Sequence, residues 1–196
     1  MPRPRSDAKR TALLEAATRV ISGQGLAGAA TSAIAKEAGV SNGSLFVYFE
    51  TKTVLLNELY VLLKSEMGEA AFASIPTSGP VRERMAQMWS QWLAWATSNP
   101  DRRRALAQLE VAEDVTDESH AAVRGAQRDM ADLVELARLG GPMADVPLPF
   151  VMALTGAIAD STMDALIRDP DAATACLLYT SPSPRDRTRS RMPSSA

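Results

Sequence analysis

Apolar side chains recur with the spacing of an α-helix along most of this 196-residue chain, and this restricts the possible folds more than any other feature. The first such segment carries Leu13, Leu14, Ala17, Val20 and Ile21 on one face. Similar segments follow between breaks rich in glycine or proline, and none alternates like a strand. The sequence therefore predicts an all-α fold of eight helices, at about 7–22, 31–38, 41–49, from 52, 81–98, from 100, 117–139 and 147–168.

Composition excludes several classes of protein. A single cysteine rules out an internal disulfide, and with one histidine a His/Cys metal site is not expected. The most apolar stretch, residues 150–159, is too short to cross a bilayer, and the N-terminus lacks the apolar core of a signal peptide. The chain has neither a supported nucleophile–base pair nor a phosphate-binding glycine loop. We therefore expect a cytoplasmic protein without enzymatic activity, cofactor, metal or membrane contact.

Residues 176–196 differ abruptly from the rest of the chain. Ser, Pro, Thr and Arg dominate there, and helical periodicity stops. One interpretation is a flexible basic tail. The interpretation we favour is that residues 176–186 look like the translation of a sequencing adapter, so that the natural protein continues differently after about Ala175. We expect three segments: a head at 7–67, a body at 68–175 and a disordered, non-native tail at 176–196.

Ala35, Gly39 and Leu45 have the spacing of a helix-turn-helix. A small residue is needed where the two helices cross, a glycine can adopt the left-handed conformation of the tight turn, and a leucine fills the core below the second helix. Such a unit presents the start of its second helix to the major groove of DNA. The same three residues also fit an ordinary helical hairpin with a glycine turn.

The wider segment, AIAKEAGVSNGSLFVYFETK at residues 33–52, closely resembles the signature of the TetR (tetracycline-repressor) family of transcription regulators. The resemblance covers about residues 7–60, and the remainder is similar only in the number and length of its helices. It implies a homodimer whose subunits each have an N-terminal, three-helix DNA-binding head. It also implies a C-terminal helical body that binds an inducer and dimerises.

The resemblance assigns DNA contacts to nine positions. The recognition helix would cover residues 41–49, with Ser41 as its cap and with Leu45 and Phe49 in the core. An asparagine amide suits an adenine edge or a phosphate, a serine hydroxyl suits either, and a lysine suits phosphate. The expected DNA-binding residues are Thr31, Ser32, Ser41, Asn42, Gly43, Ser44, Val47, Tyr48 and Lys52.

Three positions depart from the family pattern. Asn42 stands where a basic residue is usual, and Phe46 stands where a tyrosine is usual. Alanines occupy positions 29 and 30, where a threonine usually caps the second helix, so that Thr31 or Ser32 is the nearest capping candidate. These departures affect individual contacts and leave the predicted fold unchanged.

Charge is divided unevenly along the chain. Residues 1–54 carry seven basic and four acidic side chains, whereas residues 55–175 carry ten basic and eighteen acidic ones. A basic head on an acidic body is typical of a protein that meets a polyanion through its head alone. The head's first four cations form either an arm that reaches DNA or a frayed, solvated terminus. They are Arg3, Arg5, Lys9 and Arg10.

The predicted helix at 81–98 gathers its largest side chains within an arc of about 120°. They are Met85, Met88, Trp89, Trp92 and Trp95. This face is interpreted either as the wall of an apolar inducer pocket, with indole N–H groups as polar handles, or as plain core packing. Elsewhere in the body, His120 is predicted to be solvated, and the arginines at 102–104 are predicted to form a surface charge run.

The predicted helix at 147–168 is apolar on nearly all sides, so it must be covered on both faces. One face can pack on its own core and the other on a partner subunit. The resemblance agrees, because the family's final two helices usually build a four-helix dimer interface. The second of that pair would lie beyond Ala175, so we expect the chain as written to dimerise poorly.

These patterns together predict a homodimeric DNA-binding regulator, most simply a repressor released from its operator by a small apolar inducer. Two alternatives remain open. A helical small-molecule carrier would bind ligand without salt-dependent DNA affinity. An architectural DNA binder or an activator without inducer would show no ligand effect on its tryptophan fluorescence.

Overall fold

The computed structural model describes residues 4–126, 128–169 and 171, and 79% of these residues are helical. Within these residues there is no strand, so the predicted all-α class is confirmed. The helices are α1 Pro4–Gly28, α2 Thr31–Glu37, α3 Asn42–Tyr48, α4 Lys52–Phe72, α5 Val81–Ser98, α6 Pro100–Leu109, α7 Asp117–Ala126, α8 Arg128–Leu139 and α9 Leu148–Arg168. The single helix predicted at 117–139 corresponds to α7 and α8, and Gln127 between them lies outside the described residues.

The first helix is longer than predicted and bends near its end. Gly25 has φ 79° and ψ 164°, far from helical values, and the chain turns there before reaching Gly28. A left-handed φ is accessible to glycine without the steric cost of a Cβ. The predicted end of the helix at 23–25 is therefore a kink. A short segment after Gly25 completes α1 before α2 begins at Thr31.

The interior of the head is apolar. All five residues assigned to the inner face of α1 are buried, and Ile34, Leu45 and Phe49 from α2, α3 and the following residue pack with them. Helix α4 begins in the head and continues into the body, and it buries Leu55 and Leu59 along its length. One long helix thus belongs to both parts of the molecule.

Helix α6 holds the head against the body. Its Gln108 side chain donates to the Ile21 carbonyl oxygen at 3.0 Å and accepts from the Leu26 backbone N–H at 2.7 Å. These two backbone groups flank the kink in α1. Because the kink interrupts the hydrogen bonding within the helix, they need a partner from elsewhere, which Gln108 provides. Ser22 adds a hydrogen bond of 2.7 Å to Asp101 at the start of α6.

The arginine run at 102–104 is not uniformly on the surface. Arg103 is 1% exposed. Its guanidinium lies 3.3 Å and 3.2 Å from carboxylate oxygens of Asp160 and Asp164 on α9, and 3.6 Å from Glu110. The predicted surface run is therefore wrong at Arg103, because two carboxylates from α9 and one at the end of α6 compensate the burial of its charge.

Helix α9 has one covered and one uncovered face. Val151, Ala159, Met163 and Leu166 are buried against the body. The large apolar side chains on the opposite face are exposed: Phe150 at 62%, Leu154 at 38% and Ile158 at 50%. This 21-residue helix is long and apolar enough to cross a membrane by length and composition, unlike the ten-residue stretch considered in the sequence, but an ordinary core helix meets the same criterion. Helix α9 also carries the two aspartates that pair with Arg103.

Candidate nucleic-acid interface

The turn between α2 and α3 has the geometry that the spacing predicts. Gly39 has φ 68°, and its N–H donates to the Lys36 carbonyl at 3.1 Å, while the Val40 N–H donates to Ala35 at 2.9 Å. A Cβ at Gly39 would meet nothing within 4 Å, so the turn requires glycine for its backbone conformation and not for space. Ala35 is buried where the helices cross.

Ser41 caps α3 as expected. Its Oγ accepts the backbone N–H of Ser44 at 3.1 Å, and the two serine hydroxyl oxygens lie 2.8 Å apart. The Ser44 hydroxyl is therefore engaged with the cap in the free protein. Either hydroxyl can be the donor in this pair, so the Ser44 hydroxyl can still accept a hydrogen bond from DNA, and it can donate one if Ser41 donates within the pair.

The two sides of α3 differ sharply. Leu45 is fully buried, and Gly43 and Val47, each two residues or about 200° away, lie on the opposite side. Val47 is 79% exposed and Phe46 44% exposed. We call the four exposed residues of α3 the crest; they are Asn42, Gly43, Phe46 and Val47. The helix is thus anchored by one face and presents the other to solvent.

The remaining predicted contact residues flank the crest. Ser32 is exposed on α2, and Thr31 is half-buried beside it. Neither caps α2, because the N-cap position is Ala30, which offers no side-chain hydrogen bond, so the suggested replacement cap is wrong. Tyr48 and Lys52 are half-buried, and Lys52 is the first residue of α4.

Arg10 does not belong to a free N-terminal arm. Its guanidinium is paired with Glu58 of α4 and lies 5.2 Å from the centroid of the Phe49 ring. It therefore ties α1 to the end of the recognition motif. Lys9 is exposed. Arg3 and the side chain of Arg5 lie outside the described residues.

The tryptophan face of α5 lies mostly within the core. Met88, Trp92 and Trp95 are buried, Met85 and Trp89 are half-buried, and Trp89 and Trp92 meet edge to face at 6.5 Å. Trp92 also borders a cavity of about 20 Å³ between α4, α5 and α8. Its buried Nε1 has no hydrogen-bond partner among the described residues. The face thus provides core packing, and one member borders a small void.

A polar junction between α4 and α7 was not predicted. The Tyr60 hydroxyl lies 2.9 Å from Nδ1 of His120, and the rings meet edge to face at 4.9 Å. Burial raises the pKa of Tyr60, so its phenol stays protonated near neutral pH. His120 is half-buried, and its predicted solvation is wrong because its partner lies 60 residues away in sequence. No spacing rule could have indicated this pair.

Comparisons with known proteins agree with this geometry. Residues 13–59 match the family of bacterial regulatory proteins described as the tetR family. A curated relative, the HTH-type transcriptional regulator AcrR of Shigella flexneri, is 31% identical over 106 residues. That match covers 51% of this chain, and the chain spans only 46% of the relative's length.

Solved structures extend the likeness to the body. A structure from Shewanella sp. PV-4, assigned to the tetR family of transcription regulators, is 27% identical and superposes with a TM-score of 0.77 over 85% of this chain and 89% of that one. A TetR family transcription regulator from Marinobacter aquaeolei VT8 is 23% identical, with a TM-score of 0.76 over 85% and 87% of the two chains. By sequence over residues 13–59 and by fold over most of its length, this chain is similar to regulators of the TetR family.

Proposed function

We propose that this chain is a DNA-binding transcription regulator that acts as a homodimer, most simply as a repressor released by a small apolar ligand. The head, residues 7–67, binds the operator, and the body, residues 68–175, dimerises and receives the ligand. The observation that carries the proposal is the crest of α3. It is exposed on a short helix whose other face is held by the core, directly after a glycine turn of helix-turn-helix geometry.

In this proposal α3 enters the major groove and the crest faces the base edges. The polar residues around it, Ser32, Tyr48 and Lys52, meet the phosphates on either side. Phosphate contacts fix the orientation of the head, and base contacts supply the sequence preference. Thr31, Ser41 and Ser44 are close enough in the same motif to add backbone contacts.

The exposed face of α9 supports dimerisation. Phe150, Leu154 and Ile158 recur every four residues, and the small Ala153 and Ala157 between them are also exposed. A second copy packed on this face would remove a continuous apolar stripe from water, so we propose that α9 alone supports the dimer, in contrast to the poor dimerisation expected from the sequence. Two heads would then face half-sites one helical turn or a multiple of it apart.

Ligand release is supported by two features of the body. The void beside Trp92 is lined by Met67, Phe72 and Met130, whose flexible or planar side chains can repack to admit an apolar molecule. The unpaired Nε1 of Trp92 would donate to an acceptor on it. Because Gln108 of α6 is hydrogen-bonded across the kink of α1, a shift of α6 would move the head. Release follows only as far as the ligand binds the shifted state more tightly.

Fluorescence anisotropy on DNA from immediately upstream of the gene tests the proposal, at about 50 and 200 mM salt. A dimer with 6–10 phosphate contacts should lose roughly 10³–10⁵ in affinity between them. Lys52→Ala should weaken binding and reduce the salt slope by about 1 for each protomer.

Arg82→Ala is the matched control, since it removes one positive charge from the exposed start of α5 rather than from the head. It should leave the salt slope unchanged. Equal affinity for operator and scrambled DNA, with no effect of Lys52→Ala, would contradict the proposal. A tryptophan fluorescence change on adding an apolar ligand, with loss of DNA binding, would support the ligand-released form.

A further inference from the structure

The crest of α3 carries no charge. No Lys, Arg, Asp or Glu occurs between residues 41 and 49 of the sequence. Its two large side chains, Phe46 and Val47, are apolar and adjacent, and in the described head no other large apolar side chain is as exposed as Val47. A surface helix of an otherwise basic head therefore exposes two adjacent apolar side chains to water.

The crest is also open. A Cβ at Gly43 would meet nothing nearer than the Ser41 hydroxyl oxygen at 4.0 Å, so packing does not require glycine there. Gly43 lies one helical turn before Val47 on the same side. With no side chain standing out at that turn, the helix can approach a surface closely enough for the short valine side chain to touch it.

The major groove offers a limited set of partners for such a surface. Guanine is read mainly by Arg or Lys, which donate to its O6 and N7, and the crest has neither. Thymine presents a C5-methyl group, which is read by apolar contact. Asn42, at the start of the crest, has the amide that donates to and accepts from an adenine edge. All three side chains of the crest thus favour A·T pairs.

We propose that the crest reads thymine methyl groups, with Val47 packed on one C5-methyl and Phe46 against a neighbouring one, so that each half-site carries A·T pairs beneath α3. This inference rests on the proposed function and names the base chemistry that the same site selects. Burying one methyl contributes about 0.8 kcal/mol, which corresponds to about a fourfold change in affinity. The same contact in both half-sites of a dimer gives about fifteenfold.

Deoxyuridine substitution isolates this contact, because it removes the methyl group and keeps the base pair and the O4 acceptor. The full chain is first used to select an operator from random double-stranded DNA. Each half-site thymine of that operator is then replaced symmetrically by deoxyuridine, and affinity is measured by anisotropy. We expect about a fifteenfold loss at one or two positions per half-site and no loss at the others.

The protein variant completes a double-mutant cycle with the DNA. Val47→Ala should weaken binding to the thymine operator and abolish the penalty at one deoxyuridine position. Val54→Ala is the matched control, since it shortens another exposed valine of the head, on α4, and should leave every penalty in place. Circular dichroism verifies that both variants are folded.

Three outcomes would overturn the inference in distinguishable ways. Selective DNA binding that is indifferent to every deoxyuridine substitution refutes methyl reading and leaves the proposed function standing. Uniform weakening by Val47→Ala, with all deoxyuridine penalties intact, assigns Val47 to general packing or backbone contact. Failure to select any sequence refutes the proposed function and the inference together.

Discussion

The interiors of the head and of the body are stabilised by different forces. In the head, Leu13, Ile34, Leu45 and Phe49 are fully buried and apolar. In the body, Arg103 is equally buried, and it joins α6 to α9 through Asp160 and Asp164, with Glu110 at the end of its own helix as a third carboxylate nearby. Apolar burial is nearly independent of pH and salt, whereas an ion cluster depends on the protonation of its acids. The two regions should therefore respond differently to the same perturbations.

The largest expected loss of stability comes from the apolar core of the head. Phe49→Ala removes a fully buried ring that also contacts Arg10, and cavities of this kind cost about 3–5 kcal/mol. Urea unfolding followed by circular dichroism measures the change. Phe46→Ala is the control, because the ring at that position is 44% exposed and its loss should cost about 1 kcal/mol or less. Equal losses for both variants would show that Phe49 is not a core residue.

Removing the charge of Arg103 at the centre of the body should lower the free energy of unfolding somewhat less than Phe49→Ala does. Arg103→Ala leaves Asp160 and Asp164 without their cation, and breaking a buried pair costs about 3–5 kcal/mol. We expect the lower end, near 3 kcal/mol, because the two aspartates are 38% and 47% exposed and can be rehydrated.

Arg104→Ala provides the contrast for Arg103→Ala on the same helix. Its pair with Asp101 is half-exposed on both sides, so its removal should cost less than about 1 kcal/mol. Urea unfolding of the two variants in parallel measures the difference. If Arg104→Ala destabilised the protein as much as Arg103→Ala, the buried cluster would have no special role.

The sequence predicts the head better than the body for a physical reason. The turn at Gly39, the cap at Ser41 and the core position of Leu45 depend on neighbours within a few residues, so their spacing encodes them. The ends of α5 and the start of α6 are likewise set by local proline and asparagine signals. Such local features were predicted to within a residue or two.

Features made by distant residues were not predictable. Arg103 looks like its neighbours in a charged run, and only the approach of α9 buries it. The contact of Tyr60 with His120 and that of Gln108 with the kink of α1 join residues 60 and more than 80 apart. The sequence of the tryptophan face of α5 is compatible with both core packing and a ligand pocket. A periodic pattern shows which way the side chains point, but it does not show how much volume remains between the helices.

The smallest expected effect, a dependence on pH, arises in the body. Burial raises the pKa of Asp160, with Glu110 acting in the same direction and Arg103 against it. A carboxyl whose folded pKa exceeds its unfolded value stabilises the fold while protonated, and that contribution is lost as pH rises through the folded pKa. Ionised Asp160 therefore lowers the free energy of unfolding, and this loss begins as the pH rises above 3.8, the ordinary pKa of an aspartate.

Asp160→Asn removes this cost while Asp164 and Glu110 still face Arg103. Relative to the wild-type chain, the variant should gain stability progressively as pH rises above about 3.8, by less than about 1 kcal/mol at neutral pH because the side chain is 38% exposed. Unfolding in urea across this range measures the difference. Phe49→Ala, in the apolar head, should keep a constant difference from wild type over the same range. An Asp160→Asn variant less stable than wild type at neutral pH would mean that attraction to Arg103 outweighs desolvation. The ionised Asp160 would then stabilise the body on balance, although by less than the apolar core stabilises the head.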